Sequence, residues 1–94
     1  MNKSDIHRIT EEYGLAPNKK LGQNFLINDD IIKRIVEACS PDGRNILEIG
    51  PGLAASSHGL AERALSYTAV EIDSGFVRYL TDLFSGKGNV TLIH

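Results

Sequence analysis

The apolar positions along the chain change period several times, and each change marks an element. Near the N-terminus Ile6, Ile9 and Tyr13 fall at i, i+3 and i+7, which predicts a short helix over residues 4–13, capped by Ser4 and stopped by Gly14. Residues 16–26 carry no period and contain Pro17 and Gly22, so they read as a loop leading into the core. A stronger helix follows. Asn28 or Asp29 caps it, acids occupy its first turn, and Ile31, Ile32, Ile35, Val36 and Cys39 form an apolar stripe that makes Cys39 a core residue; Ser40-Pro-Asp-Gly43 ends it. The pattern then alternates: strand 45–49, helix about 54–64, strand 67–72, helix about 75–84, strand 89–93.

Strands joined by single helices are parallel, and right-handed crossovers give the neighbouring order 3-2-1. The fold class is α/β, the first half of a Rossmann-like sheet (βαβαβ) preceded by N-terminal helices. A doubly wound sheet continues on the other side of its first strand, so a chain ending at His94 leaves a very apolar strand 1 as a bare edge. We therefore expect a fragment of a larger protein, and an edge that drives self-association by strand exchange.

Composition narrows the class without naming it. The 94 residues hold one small domain, with 41% hydrophobic and 23% charged residues, as in ordinary globular proteins. A formal charge of −2 gives no global reason to expect binding to a phosphate backbone. Cys39 is the single cysteine, so neither an internal disulfide nor a cysteine-built zinc cluster is available, and no metal site is expected. No apolar run approaches the roughly 20 residues of a membrane span, and the N-terminus lacks a signal-peptide stretch. The expectation is a cytoplasmic protein.

The candidate chemistry lies at the strand ends. Asn45-Ile-Leu-Glu-Ile-Gly-Pro-Gly-Leu-Ala54 places a glycine turn after strand 1, with Leu53 opening a helix, and Ala69-Val-Glu-Ile-Asp73 ends strand 2 in carboxylates. Glu71 follows Gly50 by 21 positions, close to the roughly 20-residue interval at which an acid accepts hydrogen bonds from ribose hydroxyls. Gly50-x-Gly52-x-x-Ala55 also fits a dinucleotide fingerprint, so NAD and S-adenosylmethionine both enter. A pyrophosphate needs open backbone N–H groups at the helix start, and Pro51 has none. Glu48 places a carboxylate near the turn, which suits a cation better than a phosphate. These features favour S-adenosylmethionine, which carries an ammonium and a sulfonium and no phosphate.

Lys19-Lys-Leu-Gly-Gln-Asn-Phe-Leu26, Leu47-Glu-Ile-Gly-Pro-Gly-Leu53 and Val70-Glu-Ile-Asp73, in this order and spacing, resemble the ribosomal RNA adenine N6-dimethyltransferases, in particular the small-subunit dimethyladenosine transferases. The match runs from about Asn18 to His94, dividing the chain into an N-terminal extension (1–17) and a partial S-adenosylmethionine-binding domain (18–94). The resemblance implies transfer of two methyl groups from S-adenosylmethionine to N6 of each of two adjacent adenosines near the 3′ end of small-subunit rRNA, in ribosome biogenesis. It assigns Asn24 and Leu26 to the cofactor's methionine part, Gly50 to a backbone contact, Gly52 to clearance and Glu71 to both ribose hydroxyls. It also places the aspartate that reads the adenine amino group, the Asn-Leu-Pro-Tyr-type base-binding motif and the helical RNA-binding domain beyond His94. No catalytic residue is assigned within the chain, which is expected to be inactive alone.

The chain departs from the family pattern at Ala54, where some relatives have glycine, and at Ser56-Ser-His58, where a Leu-Thr pair is frequent. Other readings are plainer. Asp73 reads as a loop or helix-cap residue, His58 as a partly exposed structural histidine, and Phe76, Leu80, Leu83 and Phe84 as core. Lys19 and Lys20 are either an RNA-facing pair beside Gln23 or a solvated loop. The alternatives are the large-subunit methyltransferase of the macrolide-resistance type, a non-catalytic binding module and an NAD-dependent oxidoreductase fragment. Lys19-Lys-Leu-Gly and Gly50-Pro-Gly52 favour the small-subunit enzyme over the first of these.

Overall fold

The computed structural model describes residues 2–15 and 28–94. Its elements are α1 (Lys3–Glu12), α2 (Asp29–Ala38), β1 (Asn45–Ile49), α3 (Ser57–Arg63), β2 (Ser66–Val70), α4 (Ser74–Leu83) and β3 (Val90–Ile93). The three strands form one parallel sheet in the order β1-β2-β3, with Ile46 opposite Tyr67 and Tyr67 opposite Val90. The βαβαβ reading and its strand order hold.

Strand side chains alternate between faces, and here the two faces differ sharply. On one, Tyr67 and Ala69 are buried and Ile46, Val90 and Leu92 pack against a core that includes Leu60, Phe76, Leu80 and Phe84 from α3, α4 and the turn after α4. On the other, Leu47 and Ile49 are 63% and 71% exposed, and Ile93 is exposed too. Successive right-handed crossovers running in one direction carry both helices to the same side, which leaves the opposite face open. β1 pairs only with β2 among the described residues, so it is an edge.

Several boundaries move, each for a local reason. The cap of α1 is Asn2 rather than Ser4: Asn2 Oδ1 accepts from the Asp5 N–H at 2.9 Å and Asp5 Oδ2 from the Asn2 N–H at 3.1 Å, a reciprocal capping box. Asn28 caps α2 by accepting from the Ile31 N–H. The apolar stripe of α2 is mostly uncovered. Val36 is buried, packed so closely over α3 that a Cβ on Gly59 would sit 3.1 Å from its Cγ2. Ile31, Ile35 and Cys39 are exposed, so the core reading of Cys39 is overturned: α2 meets α3 along a line too narrow to cover its whole stripe. Arg63 fastens the same corner with a bidentate pair to Asp42 at 2.9 and 2.7 Å and a third bond to Glu37.

α1 lies on α4. Ile9 is buried, Tyr13 stacks edge-on against Tyr79 at 5.3 Å, its hydroxyl donates to Asp82 at 2.7 Å, and Arg78 donates to the Tyr13 carbonyl. Leu15 then fills the space beside Gly75, where a Cβ would meet it at 2.4 Å. Asn89 closes the bottom of the sheet by donating to the carbonyls of Ala61 and Ala64 at the end of α3.

Phe76 is fully buried between sheet and helices, so Phe76→Ala is expected to cost about 3–5 kcal/mol. Urea unfolding checks this; a midpoint close to that of the parent chain contradicts the placement of the core.

Candidate nucleoside site at the carboxyl ends of β1 and β2

β1 ends at Ile49 and the chain turns through residues 50–56 before α3 begins at Ser57. The expected helix start at residue 53 or 54 is therefore three to four residues too early. The reason is the backbone: Gly50, Gly52 and Ala54 have φ of 70°, 56° and 65°, and a right-handed helix cannot pass through left-handed residues. At Gly50 and Gly52 a Cβ would meet nothing within 4 Å, so these glycines are required by conformation and not by crowding. Ala54 takes the same conformation with a fully buried side chain.

The turn is held along its length. The Gly50 N–H donates to the Val70 carbonyl at 2.8 Å, which sets the entrance against the end of β2. The Gly52 N–H donates to Glu71 Oε1 at 3.0 Å, and Tyr79 OH donates to the Leu53 carbonyl at 3.3 Å. Glu71 itself is only 5% exposed, and its second oxygen accepts from the Asp73 N–H at 3.0 Å. Asp73 then caps α4 through the N–H groups of Gly75 and Phe76. Three of the five expected site residues, Gly50, Gly52 and Glu71, thus meet at one point. Asn24 and Leu26 lie outside the described residues, as do Lys19, Lys20 and Gln23.

Glu48 does something other than expected. It lies on the core-facing side of β1 and accepts from Tyr67 OH at 2.5 Å, from Ser56 Oγ at 3.1 Å and from Ser57 Oγ. Its carboxylate is committed to three hydroxyls, so the reading that it stands ready for a cation loses its support. The same contacts account for the departure at Ser56 and Ser57: both hydroxyls are used, and Ser57 is fully buried. Sequence reasoning missed this cluster because its members are 8, 9 and 19 residues from Glu48. His58 is exposed and touches Phe84, a structural place.

The concavities along the α1–α4 seam, lined by residues such as Glu12, Tyr13, Arg78 and Asp82, lie apart from the glycine turn and mix both charges. Among the described residues no group of three His, Cys, Asp or Glu is placed to hold a metal ion, and no helix is long and apolar enough to cross a membrane.

A glycine turn closed by a buried acid from the next strand is a shape shared by many nucleotide-binding sheets. The comparison with known proteins is more specific. Residues 14–94 match the family model described as Ribosomal RNA adenine dimethylase. The chain belongs to the ribosomal RNA adenine dimethylase family. Ribosomal RNA small subunit methyltransferase A of Bacillus pumilus (strain SAFR-032) is 45% identical over 87 residues, which is 92% of this chain and 30% of that protein. Among solved structures, the 23S rRNA methyltransferase ErmE superposes with a TM-score of 0.68 at 34% identity, covering 74% of this chain and 29% of that one. A dimethyladenosine transferase from Plasmodium falciparum superposes with a TM-score of 0.64 at 26% identity, covering 73% and 27%. This dimethylase-family chain spans about 30% of the length of the curated relatives it matches.

Two outcomes test the site. Because nothing crowds Gly52, Gly52→Ala changes only backbone strain, and a loss of about 1–2 kcal/mol in unfolding free energy is expected. No loss would mean that the turn relaxes to an ordinary conformation. The three tyrosines of this family member supply the second. Burial and then the bond to Glu48 push Tyr67 well up, with the Ser57 hydroxyl acting the other way. Burial raises Tyr79, and the Asp82 hydrogen bond carries Tyr13 to about 12. Phenols raised on folding contribute stability that is complete below the unfolded value of 10.0 and is lost as pH climbs through the folded values. Spectrophotometric titration is expected to show the phenols ionising above pH 10.0 while helical circular dichroism persists.

Proposed function

We propose that this chain is the S-adenosylmethionine-binding part of an rRNA adenine N6,N6-dimethyltransferase of the small-subunit type, which acts in the cytoplasm on two adjacent adenosines near the 3′ end of that RNA during ribosome biogenesis. The observation that carries the reading is the meeting of Glu71 with the Gly50–Gly52 turn, in a chain of the dimethylase family. Glu71 would hold the ribose hydroxyls through charge-assisted bonds, with Gly50 and Gly52 forming the wall beside it and Asn24 and Leu26 serving the methionine part. When bound, S-adenosylmethionine supplies an electrophilic methyl group on a sulfonium. Acceptor activation is assigned to residues other than those of this chain.

The NAD reading is disfavoured by the turn. Pro51 has no N–H, and the Gly52 N–H is directed to Glu71, so two of the groups that would cradle a pyrophosphate are missing. The ErmE superposition favours a large-subunit target as the second reading; 45% identity to a small-subunit enzyme over 92% of the chain supports the first.

Calorimetric titration with S-adenosylhomocysteine and with NADH separates the classes: heat with the former alone is expected, and tight NADH binding without a response to S-adenosylhomocysteine would sink the reading. Glu71→Ala should weaken S-adenosylhomocysteine about tenfold or more, the value of a lost hydrogen bond to a charged group. The chain by itself should form no dimethyladenosine on rRNA. The β1 edge, unpaired on one side among the described residues, should make the chain self-associate, and a monodisperse monomer in light scattering at high concentration would contradict that.

A further inference from the structure

Glu48 occupies a position where the strand's alternation calls for an apolar side chain, since Ile46, Tyr67 and Ala69 share its face. A carboxylate there is costly unless fully hydrogen-bonded, and three hydroxyls bond it. Where those hydroxyls come from is informative. Tyr67 belongs to β2, whereas Ser56 and Ser57 form the exit of the turn that Gly50 enters. Ser56 stands at the N-cap of α3 yet makes no capping bond, because its hydroxyl is turned to Glu48. The fold thereby forgoes about 1 kcal/mol of capping. It also keeps Ala54 left-handed, a strain that persists only where the surroundings over-determine it.

We propose, building on the S-adenosylmethionine reading above, that Tyr67 and Ser57 are positioning residues: through Glu48 they anchor the exit of the 50–56 turn and so hold the Gly52 N–H and the Glu71 carboxylate in the geometry that receives the nucleoside. The entrance is held by Gly50 on Val70 and the middle by Gly52 on Glu71. Without the Glu48 anchor, Ala54 has a lower-energy conformation to relax into, and relaxation moves Gly52, two residues away. None of the three hydroxyls needs to touch the ligand for this to act.

The test compares Tyr67→Phe, Ser57→Ala and Ser57→Thr with the parent chain by two measurements. Calorimetry with S-adenosylhomocysteine is expected to show affinity reduced about tenfold in Tyr67→Phe and in Ser57→Ala, and regained in Ser57→Thr, which keeps the hydroxyl. Hydrogen exchange in the ligand-free proteins is expected to speed up at the Gly52 and Ala54 amides in the first two variants while the Thr68–Val70 amides of β2 keep their protection. Unchanged turn exchange, or equal acceleration of turn and β2, overturns the positioning role, the latter because it reports only general loosening. If the parent chain shows no heat with S-adenosylhomocysteine, the cofactor reading fails, and the exchange pattern still decides whether the hydroxyls hold the turn.

Discussion

β1, β2 and β3 are parallel and neighbours in chain order, and that arrangement requires each connecting helix to cross the same face in the same sense. The remaining features of the molecule depend on it. It brings the carboxyl ends of β1 and β2 side by side, so that the Gly50 amide reaches the Val70 carbonyl and Glu71 reaches the turn that leaves β1. It also gathers Leu60, Phe76, Leu80 and Phe84 over one face and leaves Leu47 and Ile49 open on the other. The site and the bare face have one cause.

Two carboxylates bound the turn, and they differ in partners more than in position. Glu48 faces the core and is satisfied by side-chain hydroxyls, which makes it a brace between β1, β2 and the start of α3. Glu71 lies at the mouth and accepts from backbone amides on either side. A strand's alternation separates these roles: Glu48 is set inward within β1, whereas Glu71 is one residue past the end of β2, where the ladder has almost finished and the side chain can swing to the turn.

Much of the architecture was legible because apolar runs and turn residues alternate cleanly from Asn45 to Ile93, and the expectation that the acidic end of β2 lies beside the glycine turn agrees with the bond from Gly52 to Glu71. The family resemblance drawn from three motifs agrees with the family match over residues 14–94. What could not be read has a common physical origin. Alanine carries no signal of a positive φ, so the late start of α3 was invisible at Ala54. Hydrophobic periodicity reports which face of a helix could be buried, not how wide a neighbour covers it, and Cys39 was misplaced for that reason. The hydroxyl cluster on Glu48 joins residues from three elements, and only folding sets them within reach of one another.

The bonds already made to Glu71 fix its acceptor capacity. A carboxylate has two lone pairs on each oxygen, and the backbone occupies one on each, from Gly52 on Oε1 and from Asp73 on Oε2. Among the described residues these are its donors, which leaves one acceptor site on each oxygen. On the proposed reading, a vicinal diol would place one hydroxyl on each oxygen of a group that is almost wholly withdrawn from water. If Glu71 holds a ribose as proposed above, a 2′-deoxy analogue would leave one of those two acceptor sites without its hydroxyl.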